Sequence, residues 1–372
     1  MLQHYLRSKE HIQRAHLEAE LPGALLQDAL AVANFPSKNP RLHIEKWSEG
    51  HLPNPFLHRD LATIDRLDRL YAQLEIYIED YITKATSIYP PRAYMCIPSP
   101  DRYVDQLQFR GHPIGIDILR VDTLTDVERN RLFRAFFRYE LVSKARGEEG
   151  SGSVASTFEN LSHGEAEALR CVYHYMRDLN GAVFAHHAIS QLPDMPAERA
   201  AEKANLGPDG GLRFPNNIWF SPYTFLKHAF AEKLVPRHLG FLGFNLMNRL
   251  LSGPRDDRGC PIRLMAEIPK RLKQSDWTQV LLTSDIFEEG EDCSPLRDRQ
   301  WDNWSEIGQA LRDNGSITFA HGMQVFSVYS DLQRKIYRQR AWAFFDRADY
   351  YPDGSVSRHF PTLRQLKGGL RT

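Results

Sequence analysis

Three arginines in this sequence have a type and a spacing that could bind phosphate. Arg131, Arg134 and Arg138 follow one another at steps of three and four within a predicted helix, so their guanidinium groups share one side of it. Such a row can hold phosphate groups through charge-assisted hydrogen bonds. It can equally be the solvated or ion-paired face of an amphipathic helix, and the sequence leaves both interpretations open.

A pair of adjacent carboxylates is the second candidate. Asp256 and Asp257 follow a predicted apolar helix that ends near Ser252, in a segment expected to be a loop. Adjacent carboxylates can share a proton, bind a cationic substrate or coordinate a metal ion, and loops after buried helices often carry such sites. The flanking Arg255 and Arg258 support a structural alternative, in which two local ion pairs neutralise a polar turn.

Some of the 15 histidines have a spacing that could suit a metal site. His174 and Asp178 lie one turn apart on a predicted helix, and His186 and His187 follow further along it. However, the sequence has no HExxH motif, no i,i+4 histidine pair and no CxxC pair. It also lacks the GxSxG, GxxxxGK[ST] and GxGxxG motifs. We therefore expect neither a metal ion nor a cofactor.

Composition limits the class of protein. The 372 residues include 47 basic and 47 acidic side chains, and this balance argues against broad nonspecific nucleic-acid binding while allowing a local basic patch. No apolar run is long enough to span a bilayer, and the first residues are polar, so we expect a cytoplasmic protein without a membrane partner. The four cysteines are far apart, which predicts reduced thiols; they are Cys96, Cys171, Cys260 and Cys293.

Hydrophobic periodicity predicts a mainly α fold, a compact multi-helix domain with at most a small sheet. Apolar residues at steps of three and four predict a long helix over Leu57–Tyr81. Capping-box patterns at Thr125/Glu128 and at Ser162/Glu165 predict the starts of two further helices. A helix is also predicted over 240–251, and short strands over 93–97, 114–119 and 280–283.

The C-terminal segment from residue 318 to about 350 is predicted to be another amphipathic helix, with Ile336 and Phe344 inside. Its basic residues are expected on the outer side; they are Arg334, Lys335, Arg338 and Arg340. The Pro-rich composition of residues 36–55 predicts a linker. We therefore expect a helical N-terminal extension over residues 1–56 and a main helical domain over residues 57–372.

Several of these segments resemble a large family of filamentous-fungal proteins, and the likeness covers roughly residues 20 to 360. The segments that carry it are 78–85, 89–92, 128–141, 167–185, 240–244 and 340–346. Because they are structural helices, the resemblance implies a helical fold and a lineage. It also leads to two functional associations from different classes.

The first association is with F-box proteins. The stretch from Leu21-Pro22 through Leu25, Leu26, Ala29, Leu30 and Leu42 to Trp47 is similar to a degenerate F-box. This resemblance implies a protein-interaction module without catalytic activity, in which an apolar helix face docks a Skp1-like adaptor.

The second association is with fungal cyclodipeptide synthases that use arginine. The resemblance implies a transferase of specialised metabolism that takes aminoacyl-tRNAs and joins arginine to a second amino acid in a diketopiperazine. On this hypothesis Asp256, Asp257 and Glu267 are the catalytic acidic residues, and the Arg131, Arg134 and Arg138 row binds the tRNA substrate.

Overall fold

The computed structural model describes residues 2–87, 90–99, 104–109, 112–145, 161–187, 240, 243–252, 307, 328–354, 356–362 and 364–366. Helices account for 71% of the described residues, about twice the usual share in globular proteins. The predicted fold class, mainly α with a small sheet, is confirmed. None of the helices described is both long and apolar enough to cross a membrane.

The described helices and strands follow one another along the chain as follows. The helices are α1 Leu2–Glu20, α2 Ala24–Ala33, α3 Pro40–Ser48, α4 Pro55–His58, α5 Leu61–Thr86, α6 Pro90–Tyr94, α7 Asp126–Ala145, α8 His163–His187, α9 Gly243–Ser252, α10 Val328–Gln339 and α11 Val356–His359. The strands are β1 Gln106–Phe109 and β2 His112–Asp117, and they pair antiparallel. Short 3-10 turns cover Val121–Thr123, Ala348–Tyr350 and Pro352–Gly354.

Helix α5 is the long helix that the sequence predicts, with different ends. The preceding helix α4 ends before α5 because Arg59 takes a left-handed conformation with φ of 52°. Asp60 then caps the start of α5. The Asp60 carboxylate accepts hydrogen bonds from the Thr63 backbone N–H at 3.1 Å and from its hydroxyl at 2.6 Å. One side of α5 is buried along its earlier turns, including Leu67 and Leu74, whereas every residue from Asp80 to Ala85 is buried, so the helix enters the core at its C-terminal end.

The N-terminal helices share a hydrophobic core with the rest of the described chain. Leu25 and Leu30 of α2 are buried in the same cluster as residues of α5, α7 and α8, and α2 packs directly on α7. The predicted linker contains α3, whose Ile44 and Trp47 are also buried. The division of the chain at residue 56 stays a prediction.

The sheet is the single antiparallel hairpin of β1 and β2, as far as the described residues go. The predicted strand over 114–119 corresponds largely to β2. The strand predicted over 93–97 is wrong, because Pro90 and Pro91 open the short helix α6, where their fixed φ and missing N–H are tolerated. The strand predicted over 280–283 lies outside the described residues.

Two of the basic residues expected on the outside of the C-terminal segment are buried. Helix α10 ends at Gln339, and both Arg338 and Arg340 are inside the core. Arg338 forms an ion pair with Glu167, and the Arg340 guanidinium donates to the carbonyls of Ala85 and Ser87 at 3.0 and 2.6 Å. Because these partners come from distant parts of the chain, helical periodicity could not reveal them.

Candidate functional site

An open cleft of about 410 Å³ lies between α7, the start of α8 and the turn that follows α10. All three predicted arginines line it, and so do the carboxylates of Glu165 and Asp346. Its walls also contain apolar groups, such as Val127 and Leu169. A concave surface that mixes apolar walls with a few charged groups is typical of ligand sites.

Two capping boxes hold the walls of the cleft in place. At the start of α7, the Glu128 N–H donates to the Thr125 hydroxyl, and the Thr125 N–H donates back to the Glu128 carboxylate at 3.0 Å. The other oxygen of Glu128 accepts the backbone N–H of Asp346 at 2.8 Å, which joins the C-terminal turn to α7. Ser162 and Glu165 form the same reciprocal pair at the start of α8.

Arg131 is docked against the C-terminal turn. Its Nη2 donates to the Asp346 carboxylate at 2.5 Å, and its Nη1 donates to the Phe344 carbonyl at 3.2 Å. Its side chain is 29% exposed. These contacts indicate that Arg131 mainly fixes the position of the turn.

Arg138 is the most deeply placed arginine of the row, with a side chain only 12% exposed. It donates to the Asp28 carboxylate at 3.2 Å and to the Glu165 carboxylate at 2.6 Å. Burial raises the pKa of Glu165, but Arg138 and the Ser162 hydrogen bonds outweigh burial, so this pKa lies below its ordinary value. Arg138 therefore joins α2, α7 and α8.

Asp28 is the buried carboxylate behind the arginine row. Its Oδ1 accepts the Trp47 indole N–H at 2.7 Å, and its Oδ2 faces Arg138 and Arg134. Burial raises the pKa of Asp28, and the lowering effects of Arg138, Trp47 and Arg134 do not fully compensate. Asp28 depends on these three partners because a buried carboxylate is costly when left unpaired.

We expect Trp47→Phe to lower the free energy of unfolding by about 1–3 kcal/mol, because it removes a hydrogen bond to the charged, buried Asp28 carboxylate. Urea denaturation checks this value. Phe56→Leu is a useful control, since it changes a buried aromatic side chain of the same core without affecting a hydrogen bond to Asp28. If the Trp47 variant were as stable as the wild type, Asp28 would not need its indole partner.

Arg134 is held more loosely than its two neighbours. Its side chain is 36% exposed, its Nε lies 3.4 Å from Asp28 Oδ2, and its Nη2 lies 3.3 Å from Glu165 Oε1. The Arg134 Nε atom is buried on the side of Asp28 and makes no hydrogen bond within the described residues. Because Arg134 has the most exposed side chain of the three predicted arginines, it is the one best placed to bind a ligand in the cleft.

The structure brings together only part of the predicted site. Arg131, Arg134 and Arg138 share the cleft, whereas Asp256, Asp257 and Glu267 lie outside the described residues. Sequence reasoning missed the carboxylates that balance the arginines; these are Asp28, Glu165 and Asp346. A signal for Asp28 was present, since it is the only charged residue in the apolar helix ALLQDALAVA.

His174 and Asp178, considered above for a metal site, are buried within the protein core. The His174 ring nitrogens lie 3.2 Å from Arg338 Nη1 and 3.4 Å from Arg177 Nη2, and burial together with these cations holds its pKa well below the ordinary value. Asp178 accepts a hydrogen bond from Gln339 at 3.3 Å. Within the described part of the chain, no three His, Cys, Asp or Glu side chains are arranged to hold a metal ion.

Fold and site together define a mainly α protein with a cleft of mixed charge, in which three arginines pair with two lining carboxylates, Glu165 and Asp346, and with the buried Asp28 behind them. In comparison with known proteins, no family model, no curated protein and no solved structure matches this chain.

Proposed function

We propose that the arginine cleft binds the phosphate-bearing end of an aminoacyl-tRNA, and that the protein is a cyclodipeptide synthase-like transferase that joins arginine to a second amino acid. The observation that carries this proposal is Arg134, a partly exposed guanidinium held by contacts of 3.3 and 3.4 Å in a cleft of about 410 Å³. A cleft of this volume is within the usual range for small-molecule sites.

The chemistry of the cleft supports binding of a phosphate group. A guanidinium presents a planar set of donors that matches two phosphate oxygens, and the Arg134 side chain, which lines the cleft, is 36% exposed. Ser162, which immediately precedes the 25-residue helix α8, and Gly164 in its first turn also line the cleft. The positive end of the helix dipole therefore lies beside Arg134 and favours an anion.

The proposed reaction makes two amide bonds. The amine of one aminoacyl ester attacks the carbonyl of the other, an amide forms, and the ester oxygen leaves as the tRNA hydroxyl. The free amine of the resulting dipeptidyl ester then attacks its own ester carbonyl, which closes the ring and releases the second tRNA. A carboxylate would accept the amine proton, and Asp256, Asp257 and Glu267 are the proposed groups.

The reaction is tested by incubating the pure protein with arginyl-tRNA together with each other aminoacyl-tRNA in turn. Mass spectrometry should detect an arginine-containing diketopiperazine in at least one mixture. The absence of product from every mixture would exclude the enzyme proposal. Omitting the protein is the control, because dipeptidyl esters can cyclise without catalysis.

Arg134→Ala is expected to weaken binding of arginyl-tRNA at least about tenfold, because a hydrogen bond to a charged group contributes about 1.5–3 kcal/mol. Arg134→Lys should bind with intermediate affinity, since it keeps the charge and loses the planar donors. Fluorescence anisotropy at fixed salt measures both affinities.

Arg129→Ala is the matched control for this binding experiment. Arg129 is on the same helix, its side chain is partly exposed, and it pairs with Glu20 and Asp126 without lining the cleft. Its loss should leave the affinity for arginyl-tRNA nearly unchanged. Equal weakening by the Arg129 and Arg134 variants would show a diffuse charge effect and would contradict binding in the cleft.

Burial of the F-box-like residues favours the enzyme proposal over the adaptor alternative. The side chains of Leu25, Leu30 and Trp47 pack in the protein's own core, whereas Leu42 is 58% exposed. An apolar face that is used inside the protein is not available to a partner. Co-purification with a Skp1-like adaptor, lost on Leu42→Asp, would instead support the adaptor alternative.

A further inference from the structure

Two carboxylate oxygens hold Arg134 and Arg138 side by side at the arginine cleft. Asp28 Oδ2 lies 3.4 Å from Arg134 Nε and 3.2 Å from Arg138 Nε. Glu165 Oε1 lies 3.3 Å from Arg134 Nη2 and 2.6 Å from Arg138 Nη1. The same two oxygens therefore bridge both guanidinium groups. Because the donors of a guanidinium lie in one plane, two such contacts fix the direction in which the group points.

The two bridging carboxylates differ in their access to a ligand. Glu165 lines the arginine cleft, whereas Asp28 is not one of its lining residues and has a side chain only 4% exposed. A ligand in the cleft can thus contact Glu165 but not Asp28. Any effect of Asp28 on the ligand must pass through the arginines or through the long-range field of its charge.

Trp47 fixes the Asp28 carboxylate from the opposite side. Its indole N–H donates to Asp28 Oδ1 at 2.7 Å, while Asp28 Oδ2 serves the arginines. One carboxylate can serve both sides because each of its oxygens accepts hydrogen bonds. Asp28 is on α2 and Trp47 is on α3, so two N-terminal helices support the arginines of α7.

We infer that Asp28 is a positioning residue of the arginine cleft: held by Trp47, it orients the Arg134 guanidinium for a phosphate group, so that the N-terminal helices control the affinity of the cleft. Asp28 has this role only if the cleft binds an aminoacyl-tRNA, so the inference rests on the proposed function. A long side chain that is already ordered binds more tightly, because less conformational freedom is lost when the ligand arrives. The N-terminal helices contribute in this way although no described residue before Val127 lines the cleft.

Asp28→Asn tests this inference, because positioning and charge predict opposite results. Asparagine keeps the shape but has a single acceptor oxygen, so it cannot serve Trp47 and the arginines at once. If Asp28 orients Arg134, the variant should bind arginyl-tRNA about two- to tenfold more weakly, the range for the cost of ordering one long side chain. If Asp28 acted only through its charge, removal of that charge would strengthen the binding of an anion. Fluorescence anisotropy at fixed salt measures the affinity, and unchanged or tighter binding would overturn the inference.

A double-mutant cycle shows whether Asp28 acts through Arg134. In the Arg134→Ala background, Asp28→Asn should cause no further weakening, because the side chain that Asp28 orients is absent. The same fold loss in both backgrounds would contradict the positioning role, since the two residues would then act independently.

Asp80→Asn is the matched control for a general loss of stability. Asp80 is another buried carboxylate, 3% exposed, which pairs with Lys84 and does not line the arginine cleft. Its variant should bind arginyl-tRNA as tightly as the wild type. If it weakened binding as much as Asp28→Asn does, the effect of Asp28 would be one of stability and not of positioning.

Trp47→Phe is the second variant, and it keeps the folded protein testable should Asp28→Asn fail to fold, which circular dichroism would show. It leaves the charge of Asp28 in place and removes only the hydrogen bond that holds Oδ1. Binding of arginyl-tRNA should again weaken, within the same range. Wild-type affinity of the folded Trp47 variant would count against control of the cleft by the N-terminal helices.

The inference and the proposed function fail in different ways. Wild-type protein that does not bind arginyl-tRNA would refute both. Binding that Arg134→Ala weakens, but that Asp28→Asn and Trp47→Phe leave unchanged, would refute the positioning role alone.

Discussion

Replacing Glu167 by glutamine is expected to lower the free energy of unfolding by about 3–5 kcal/mol, the range for removing one partner of a buried ion pair. Glu167 accepts from Arg338 Nε at 2.7 Å and from Arg338 Nη2 at 2.9 Å, so the two groups form a bidentate pair. Both side chains are almost fully buried. Glutamine keeps the shape of the side chain but leaves the buried Arg338 without its counter-charge.

Neighbouring groups strengthen this expectation. The Trp342 indole N–H also donates to Glu167, and Arg170 lies 3.7 Å from the same carboxylate. Burial alone would raise the pKa of Glu167, but Arg338, Arg170 and Trp342 outweigh burial, so its pKa lies below the ordinary value. The charged form is thus favoured in the folded state, and its contribution is present above about pH 4.5 and lost as the pH falls through the lowered pKa.

Urea denaturation at neutral pH measures the effect, and Glu45→Gln provides the control. Glu45 makes the same kind of carboxylate–arginine pair with Arg41, but on the surface, where such pairs contribute about 0–1 kcal/mol. The difference between the two variants should shrink in acid, because wild-type Glu167 then becomes protonated. Equal small losses at neutral pH would show that the buried pair contributes no more than a surface pair.

Glu140→Gln, unlike Glu167→Gln, is expected to raise the free energy of unfolding. The size of this gain should depend on pH. Burial raises the pKa of Glu140 to about 7, although the Phe244 N–H bond and Lys144 act against it. A pKa that rises from 4.5 in the unfolded chain to about 7 in the folded chain means that ionisation costs about 3 kcal/mol of stability above pH 7. The wild type should therefore lose stability as the pH rises from about 4.5 to above 7.

The buried position of Glu140 is explained by the backbone N–H group that its carboxylate accepts. Its Oε2 accepts the Phe244 N–H at 2.7 Å, which caps the start of α9. Gly243, at φ of 67°, passes so close that a Cβ there would lie 2.5 Å from the same oxygen. A glutamine oxygen can accept the same N–H, so the variant retains the cap and loses only the charge.

The comparison of variant and wild type across pH isolates this charge. At about pH 4 the two proteins should have similar stability, and at about pH 8 Glu140→Gln should be more stable by about 3 kcal/mol. Urea denaturation at several pH values measures both differences. A difference that stays constant from pH 4 to pH 8 would contradict the raised pKa of Glu140.

Features that depend on near neighbours in the chain were predictable from sequence. The capping boxes at Thr125/Glu128 and Ser162/Glu165 were identified correctly, because the donor and acceptor of each box lie three residues apart. The buried stripe of α5 was predictable as well, because its apolar residues recur at the helical spacing of about 3.6 residues in the sequence. The arginine row of α7 was predictable for the same reason, because its members are three and four residues apart.

The role of each arginine was decided only by the tertiary structure. Arg131 pairs with Asp346, which is far along the chain, and Arg138 pairs with Asp28 on a helix that precedes it by over a hundred residues. Arg338 and Arg340 likewise looked like surface residues, yet they are buried because Glu167 and the carbonyls of Ala85 and Ser87 meet them in the core. Periodicity shows which residues share a face, but whether a charged face is solvated or buried depends on the partners that folding brings to it.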